Sequence, residues 1–286
     1  MRQIHIGQGH TRIAPVARGR IAFDGVDITH MSPSDLKPVR AKLQMVFQDA
    51  TGALNPRRTI GDSVGQPLSL AGWRSRDVRA RVAELFAQVG LSPDSVDRYP
   101  NEFSGGQRQR IGIAGAIALG PKLVICDEPV SALDVSVRAQ VINLLADLRD
   151  RLNISYLFVS HDLAVVEHIA HRIVVMYLGR IVESGPRENF WRQPLHPYTR
   201  ALLDAVPMAG PRRARRGEQK ILEGELPSPI NLPGGCAFHT RCPVAEDRCR
   251  SAIPVLRPAN SGNLVACHLV APAGISDVNQ ARFGPF

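Results

Sequence analysis

From Arg20 onward, short apolar runs alternate with segments of helical period. Ile21-Ala22-Phe23 reads as a strand, with a turn near Asp24-Gly25. Ser32-Pro33 supplies a cap and a first-turn proline for a helix running towards Arg40. Leu43-Gln44-Met45-Val46-Phe47 reads as a second strand, ending at Gln48-Asp49. Between Thr59 and Ala118 the period turns helical: Val78, Val82, Leu85, Phe86 and Val89 share one face of a helix that Ser75 can cap and Gly90 ends. Strand and helix then alternate, with strands over 123–126, 154–159 and 173–177 and helices over 137–148 and 163–169. That alternation predicts an α/β fold whose parallel sheet is covered on both faces. Residues 1–18 carry no period and receive no element.

Composition narrows the picture modestly. At 286 residues the chain holds one domain of ordinary size plus an extension. The net charge of +9 is scattered, apart from the run Arg212-Arg213-Ala214-Arg215-Arg216, and reads as a solvated surface. Aromatic residues are 5%, too few for a base-stacking platform, so nucleic acid is not an expected partner. The first 15 residues lack the apolar core of a secretory signal, and the longest apolar stretch, 111–120, is about half a membrane span. Membrane association is therefore expected to come through a partner.

Two segments carry chemistry. In Phe103-Ser104-Gly105-Gly106-Gln107-Arg108-Gln109-Arg110, a serine and two glycines leave backbone N–H groups bare at a helix start, which suits phosphate. Leu123-Val124-Ile125-Cys126-Asp127-Glu128-Pro129 is an apolar run ending in two carboxylates, the form of a buried strand delivering acids to its C-terminal edge, with Cys126 a core thiol. Together they resemble the signature motif and the Walker B strand of an ABC-type ATPase. The resemblance implies a RecA-like P-loop NTPase core, with a helical subdomain over about 59–118 that carries the signature. It also implies ATP and Mg²⁺, with Asp127 and Gln48 on the metal side and Glu128 as the general base. Gln48 lies 56 residues before Ser104 and matches the Q-loop; His161, 34 residues past Asp127, matches the switch histidine that reaches the γ-phosphate. Ser131-Ala132-Leu133-Asp134 is similar to the D-loop, so Asp134 is expected between two paired ATPase chains. Ser104, Gly105, Gly106 and Gln107 are expected to face ATP held by that partner. His168 and His171 read as surface residues.

Two departures stand out. No G-x-x-x-x-G-K-[ST] occurs, because none of the four lysines, Lys37, Lys42, Lys122 and Lys220, follows a glycine. The chain thus reads as an N-terminally truncated ATPase: 1–18 unassigned, 19–206 the ATPase domain, 207–286 a C-terminal extension. Autonomous hydrolysis is correspondingly in question. Gly115 replaces an arginine usual in the signature helix, and an interior glycine costs about 1 kcal/mol against alanine.

The C-terminal half refines the resemblance. Pro194-Leu195-His196-Pro197-Tyr198-Thr199-Arg200-Ala201-Leu202-Leu203 and Gly224-Glu225-Leu226-Pro227-Ser228-Pro229 look like the ATPase subunits of oligopeptide/dipeptide importers, and the 126–136 segment is similar to the second of their two paired chains. Implied partners are a paired ATPase subunit, two membrane-spanning permease subunits and an extracellular peptide-binding protein; the implied place is the cytoplasmic face of the plasma membrane. Cys236, Cys242, Cys249 and Cys267 lack the C-x2-C spacing of short zinc knuckles. The subfamily resemblance implies a [4Fe–4S] cluster at these four positions, with zinc and reduced thiols as alternatives. A DNA-repair or chromosome-organising ATPase shares the signature, but its long heptad arms do not fit in the 75 residues between Gln48 and Leu123. A non-catalytic remnant or a mis-called gene start of an importer subunit is the remaining alternative.

Overall fold

The computed structural model describes residue 16 and residues 18–206, 224–225, 227–228, 230–259 and 261–273. Most of the unassigned N-terminal stretch and the arginine run at 212–216 lie outside them. The chain divides into two compact units, 1–165 and 166–286.

The first unit opens with a hairpin of β1 (Ala22–Phe23) and β2 (Val26–Asp27). Its turn is the expected Asp24-Gly25, both at positive φ (54° and 78°), which lets a two-residue loop follow the strand twist. Helix α1 (Leu36–Lys42) starts later than Ser32-Pro33 predicts. The Ser32 hydroxyl instead accepts from the Asp35 N–H at 3.3 Å and donates to the Asp35 carboxylate at 2.6 Å, so a turn precedes the helix. Strands β3 (Leu43–Val46), β4 (Leu123–Asp127) and β5 (Ser155–Val159) form a parallel sheet with β4 in the middle. β4 is the most apolar of the three and, with Val124, Ile125 and Cys126 at 0–1% exposure, the most buried. Ile125 packs with Leu43, Leu36 and Ile28 in one core cluster.

Three helices make the helical region: α2 (Ile60–Leu70), α3 (Ser75–Gln88) and α4 (Gly105–Ile117). The predicted face of α3 is realised, with Val82, Leu85, Phe86 and Val89 buried and Gly90 at φ +71° after the last turn. Ser75, however, is the first helical residue; Arg74 holds the cap position and makes no side-chain cap bond. On α4, a Cβ added at Gly115 would meet nothing within 4 Å. Gly115→Ala is therefore expected to stabilise the protein by about 1 kcal/mol, read as a higher denaturant midpoint at unchanged m-value. Helices α5 (Val135–Leu152) and α6 (Leu163–Ile169) flank β5 in sequence, as the alternation predicts.

In the second unit β6 (Arg172–Tyr177) does not extend the parallel sheet, which corrects the sequence expectation. It pairs antiparallel with β7 (Arg180–Pro186) in a sheet of order β6-β7-β9-β8, where β8 is Arg257–Pro258 and β9 is Leu264–Val265. The cause is local: Leu178 and Gly179, at φ 47° and 78°, close a two-residue hairpin and turn the chain straight back. Helices α7 (Arg187–Arg192) and α8 (Pro197–Asp204) follow.

His196 caps α8: its Nδ1 accepts from the Tyr198 N–H at 3.1 Å, which requires an unprotonated nitrogen. Burial, and secondarily the Arg200 charge, holds its pKa down at about 4. The unfolded chain therefore binds more protons between about pH 6.5 and 4. Stability is full above 6.5 and is lost as pH falls towards 4, by roughly 3 kcal/mol at the limit. His196→Asn, which keeps an acceptor but does not titrate, is expected to flatten that acid limb of the denaturation midpoint.

Candidate functional site

Three parallel strands deliver three side chains to one edge. Gln48 lies two residues past β3, Glu128 directly follows β4, and His161 lies two residues past β5. They meet on Glu128: Gln48 Nε2 donates to its Oε2 at 3.1 Å, and His161 Nδ1 lies 3.0 Å from its Oε1. Open α/β sheets bind ligands at such C-terminal strand ends.

The backbone of Glu128 explains how the carboxylate is aimed. It sits at φ 46°, in the left-handed region that disfavours L side chains by about 1–2 kcal/mol. Its N–H donates to the Val159 carbonyl at 3.0 Å. Its own carbonyl accepts from the Ser131 N–H at 3.2 Å and the Ser131 hydroxyl at 3.1 Å. The strained conformation is thus held by β5 on one side and by the following loop on the other.

Asp127 is only 8% exposed, and its carboxyl is held above the usual range by burial first and by the Glu128 charge second. A buried acid beside another acid favours a proton or a cation at that spot. One buried carboxylate on β4, with Gln48 past the end of the paired strand β3, suits Mg²⁺, which takes few protein ligands and completes its shell with phosphate and water. His161 is 64% exposed at its side chain, so a ligand can reach it.

Ser104 caps α4 through a reciprocal pair: its hydroxyl accepts from the Gln107 N–H at 3.3 Å, and Gln107 Oε1 accepts from the Ser104 N–H at 2.9 Å. Gly106 also has a packing reason, since a Cβ there would collide with Val137 of α5. Among the described residues, no hydrogen bond joins Ser104, Gly105, Gly106 or Gln107 to Gln48, Asp127, Glu128 or His161. The structure therefore joins Gln48, Glu128 and His161 directly and leaves the signature set unbonded to them. Asp134 stands at the N-cap of α5, exposed and without a side-chain cap bond. Sequence reasoning missed Arg138 and Asp162, which join at 2.6 Å; the only signal was the adjacency of Asp162 to His161. His168 and His171 are exposed, and Cys126 is fully buried, as expected.

Cys236, Cys242, Cys249 and Cys267 are free thiols near one another: the Cys236 N–H donates to the Cys249 carbonyl at 2.8 Å, and burial pushes Cys242 up to about 11 and Cys267 up to about 12, with the other thiols adding to each shift. Among the described residues, however, no three His, Cys, Asp or Glu side chains form a group that could hold a metal ion. As placed, the four thiols do not fit a cluster or a zinc ion. Cys267 packs beside Leu195, Val265 and Leu269, and Cys236 and Cys242 pack beside Tyr177 and Phe238.

A parallel sheet with a paired-acid strand at its centre, glutamine and histidine at its flanking strand ends, and a glycine-started helix define an ABC-type nucleotide-binding domain. The ABC transporter family model matches residues 10–131, and that of the oligopeptide/dipeptide transporter C-terminal region matches residues 182–249. The chain is 51% identical over 271 residues to a probable peptide ABC transporter ATP-binding protein, y4tS, of Sinorhizobium fredii, covering 94% of this chain and 76% of that one. It is 50% identical over 265 residues to the oligopeptide transport ATP-binding protein AppF of Bacillus subtilis, covering 92% and 80%. Among solved structures it resembles cbiO1 of Clostridium perfringens, part of an ABC transporter complex, with a TM-score of 0.60 at 26% identity over 67% of this chain and 76% of that one. The chain belongs to the family of peptide ABC transporter ATP-binding proteins. No helix among the described residues is long and apolar enough to cross a membrane.

Proposed function

We propose that this chain is the ATP-binding subunit that couples ATP binding and hydrolysis to the import of oligopeptides or dipeptides. The observation that carries the reading is the convergence of Gln48 and His161 on the two oxygens of Glu128, at 3.1 and 3.0 Å. Glu128 has the position of a general base that orients and deprotonates water, with His161 holding the carboxylate and reaching the γ-phosphate. Asp127 and Gln48 would hold Mg²⁺, which when bound with ATP neutralises phosphate charge. Ser104, Gly105, Gly106 and Gln107 form the donor cluster that closes on ATP held by a paired ATPase subunit, and Asp134 lies at that seam. Two permease subunits carry the complex at the cytoplasmic face of the membrane, and a peptide-binding protein supplies it from outside. Sealed liposomes holding the assembled complex test the reading. ATP-driven accumulation of labelled peptide supports it, and accumulation that is indifferent to ATP overturns it.

The C-terminal iron–sulfur cluster, or zinc in its place, rests on the subfamily resemblance alone, since the four thiols as placed form no metal-holding group. Brown, anaerobically purified protein with about four irons per chain supports it, and metal-free protein removes it.

A further inference from the structure

We propose that Arg138 is a positioning residue that latches the loop at 131–134 to the loop carrying His161. The inference rests on the reading of Glu128 and His161 as catalytic, and adds to it the part that sets their geometry. Arg138 lies one turn into α5. Its Nη1 donates to Asp162 Oδ2 at 2.6 Å and its Nη2 to the Leu133 carbonyl at 3.2 Å. Its Nε is buried without a partner, so the fork is oriented by these two bonds at the expense of the third donor. Both members of the ion pair are only 29% exposed at their side chains, which sets the pair apart from solvent-screened surface pairs.

Each end of the fork grips a loop that matters. Asp162 is itself pinned: its Oδ1 accepts from the Ala164 and Val165 N–H groups at 3.0 and 3.4 Å, and its own N–H donates to the Ser160 hydroxyl at 3.0 Å. The backbone on both sides of His161 is thereby fixed, and His161 meets Glu128. At the other end, the Leu133 side chain lies 4.0 Å from where a Cβ on Gly105 would stand, and Val137, next to Arg138, fills the space beside Gly106. A line of packing therefore runs from Gly106 to Val137, next to Arg138, and the Arg138 ion pair carries it to Asp162 beside His161. The latch places one guanidinium between the signature helix start and the histidine. Arginine serves both acceptors through a planar fork, whereas lysine presents its donors from a single nitrogen.

Hydrogen exchange followed by mass spectrometry on the full chain tests the latch without reference to turnover. Arg138→Met keeps the apolar stem and loses both bonds. It is expected to raise exchange about tenfold or more in residues 131–137 and 160–165 together, with β3 and β4 unchanged. Asp162→Asn is expected to do the same, with little added by combining the two. Arg138→Lys should retain protection at 160–165 and lose it at 131–137. An effect of Arg138→Met confined to 131–137 overturns the latch; if that variant loosens the whole unit, Arg138→Lys decides, and unchanged protection at 131–137 in the lysine variant overturns it. In a pair assembled with the partner ATPase, Arg138→Met should lower kcat about tenfold at unchanged KM for ATP, with partial rescue by lysine. A parallel loss in kcat and KM without rescue makes Arg138 merely structural. A wild-type pair with no turnover counts against the functional reading, while the exchange pattern still decides the latch.

Discussion

Ser104→Arg is expected to lower ATP turnover of the assembled pair about a hundredfold or more. In the proposed head-to-tail pairing, each ATP lies between one chain's phosphate loop and the other chain's signature. Ser104 and the first N–H groups of α4 then act on the partner's ATP, where losing one preorganised donor costs about 10²–10³ in rate. Arginine at 104 removes more than a donor. Serine at the cap bonds the Gln107 N–H, and Gln107 returns a bond to the Ser104 N–H, so the substitution also undoes the reciprocal cap that shapes the helix start. The bulky side chain must then project into the space the phosphates occupy. Glu128, by contrast, belongs to the ATP site at this chain's own strand ends, so Glu128→Gln reads that site separately. Steady-state ATPase assays of the purified pair read both variants side by side. Turnover of Ser104→Arg within about twofold of wild type would mean that this chain's signature does not act on the partner's ATP, and a comparable loss from Glu128→Gln would mean that this chain builds a working site of its own.

The strand-end residues were legible because an apolar run, a paired acid and fixed order along the chain leave little freedom. Asp127 ends the most buried strand and Glu128 follows it, and parallel register then carries Gln48 and His161 to the same edge. What the sequence could not convey is which atoms meet. The positive φ of Glu128 depends on the Val159 carbonyl, 31 residues away in the chain, and on Ser131. β6 was read as a further parallel strand because its apolar content is that of one; the deciding feature is the two-residue turn at Leu178-Gly179, where leucine gives no hint of a left-handed backbone. Arg138 is likewise invisible, since an arginine one turn into a helix normally faces water. The tail cysteines show the converse: the subfamily resemblance implies ligands, whereas among the described residues no three such side chains form a metal-holding group.

Glu183 carries the second large expectation, and its role could not be read from the chain, where a charged residue in a strand looks solvent-facing. It lies on β7, the strand that pairs with both β6 and β9, and is 0% exposed. Its carboxylate accepts from the Leu195 N–H at 3.1 Å, the His196 N–H at 2.8 Å and Asn263 Nδ2 at 2.9 Å. Asn263, also 0% exposed, accepts in turn from Asn189 Nδ2 at 3.0 Å, so the network ties β7 to the segment before α8, to α7 and to the loop before β9. Glu183→Ala would strand three buried donors at once. Each orphaned donor costs about 1–3 kcal/mol, so a loss of roughly 3–5 kcal/mol is expected after partial relaxation. Against a typical stability of about 5–15 kcal/mol, that is a large fraction of the total. Glu183→Gln keeps the shape but turns an NH₂ group towards one of the donors, and should cost less than alanine yet remain clearly destabilising. Denaturant unfolding followed by tryptophan fluorescence in a Trp73→Phe background measures both, since Trp191 on α7 of the same unit then reports alone. A midpoint for Glu183→Ala within a few tenths of a molar of wild type would mean that water replaces the carboxylate, and that the network is not what holds the antiparallel sheet.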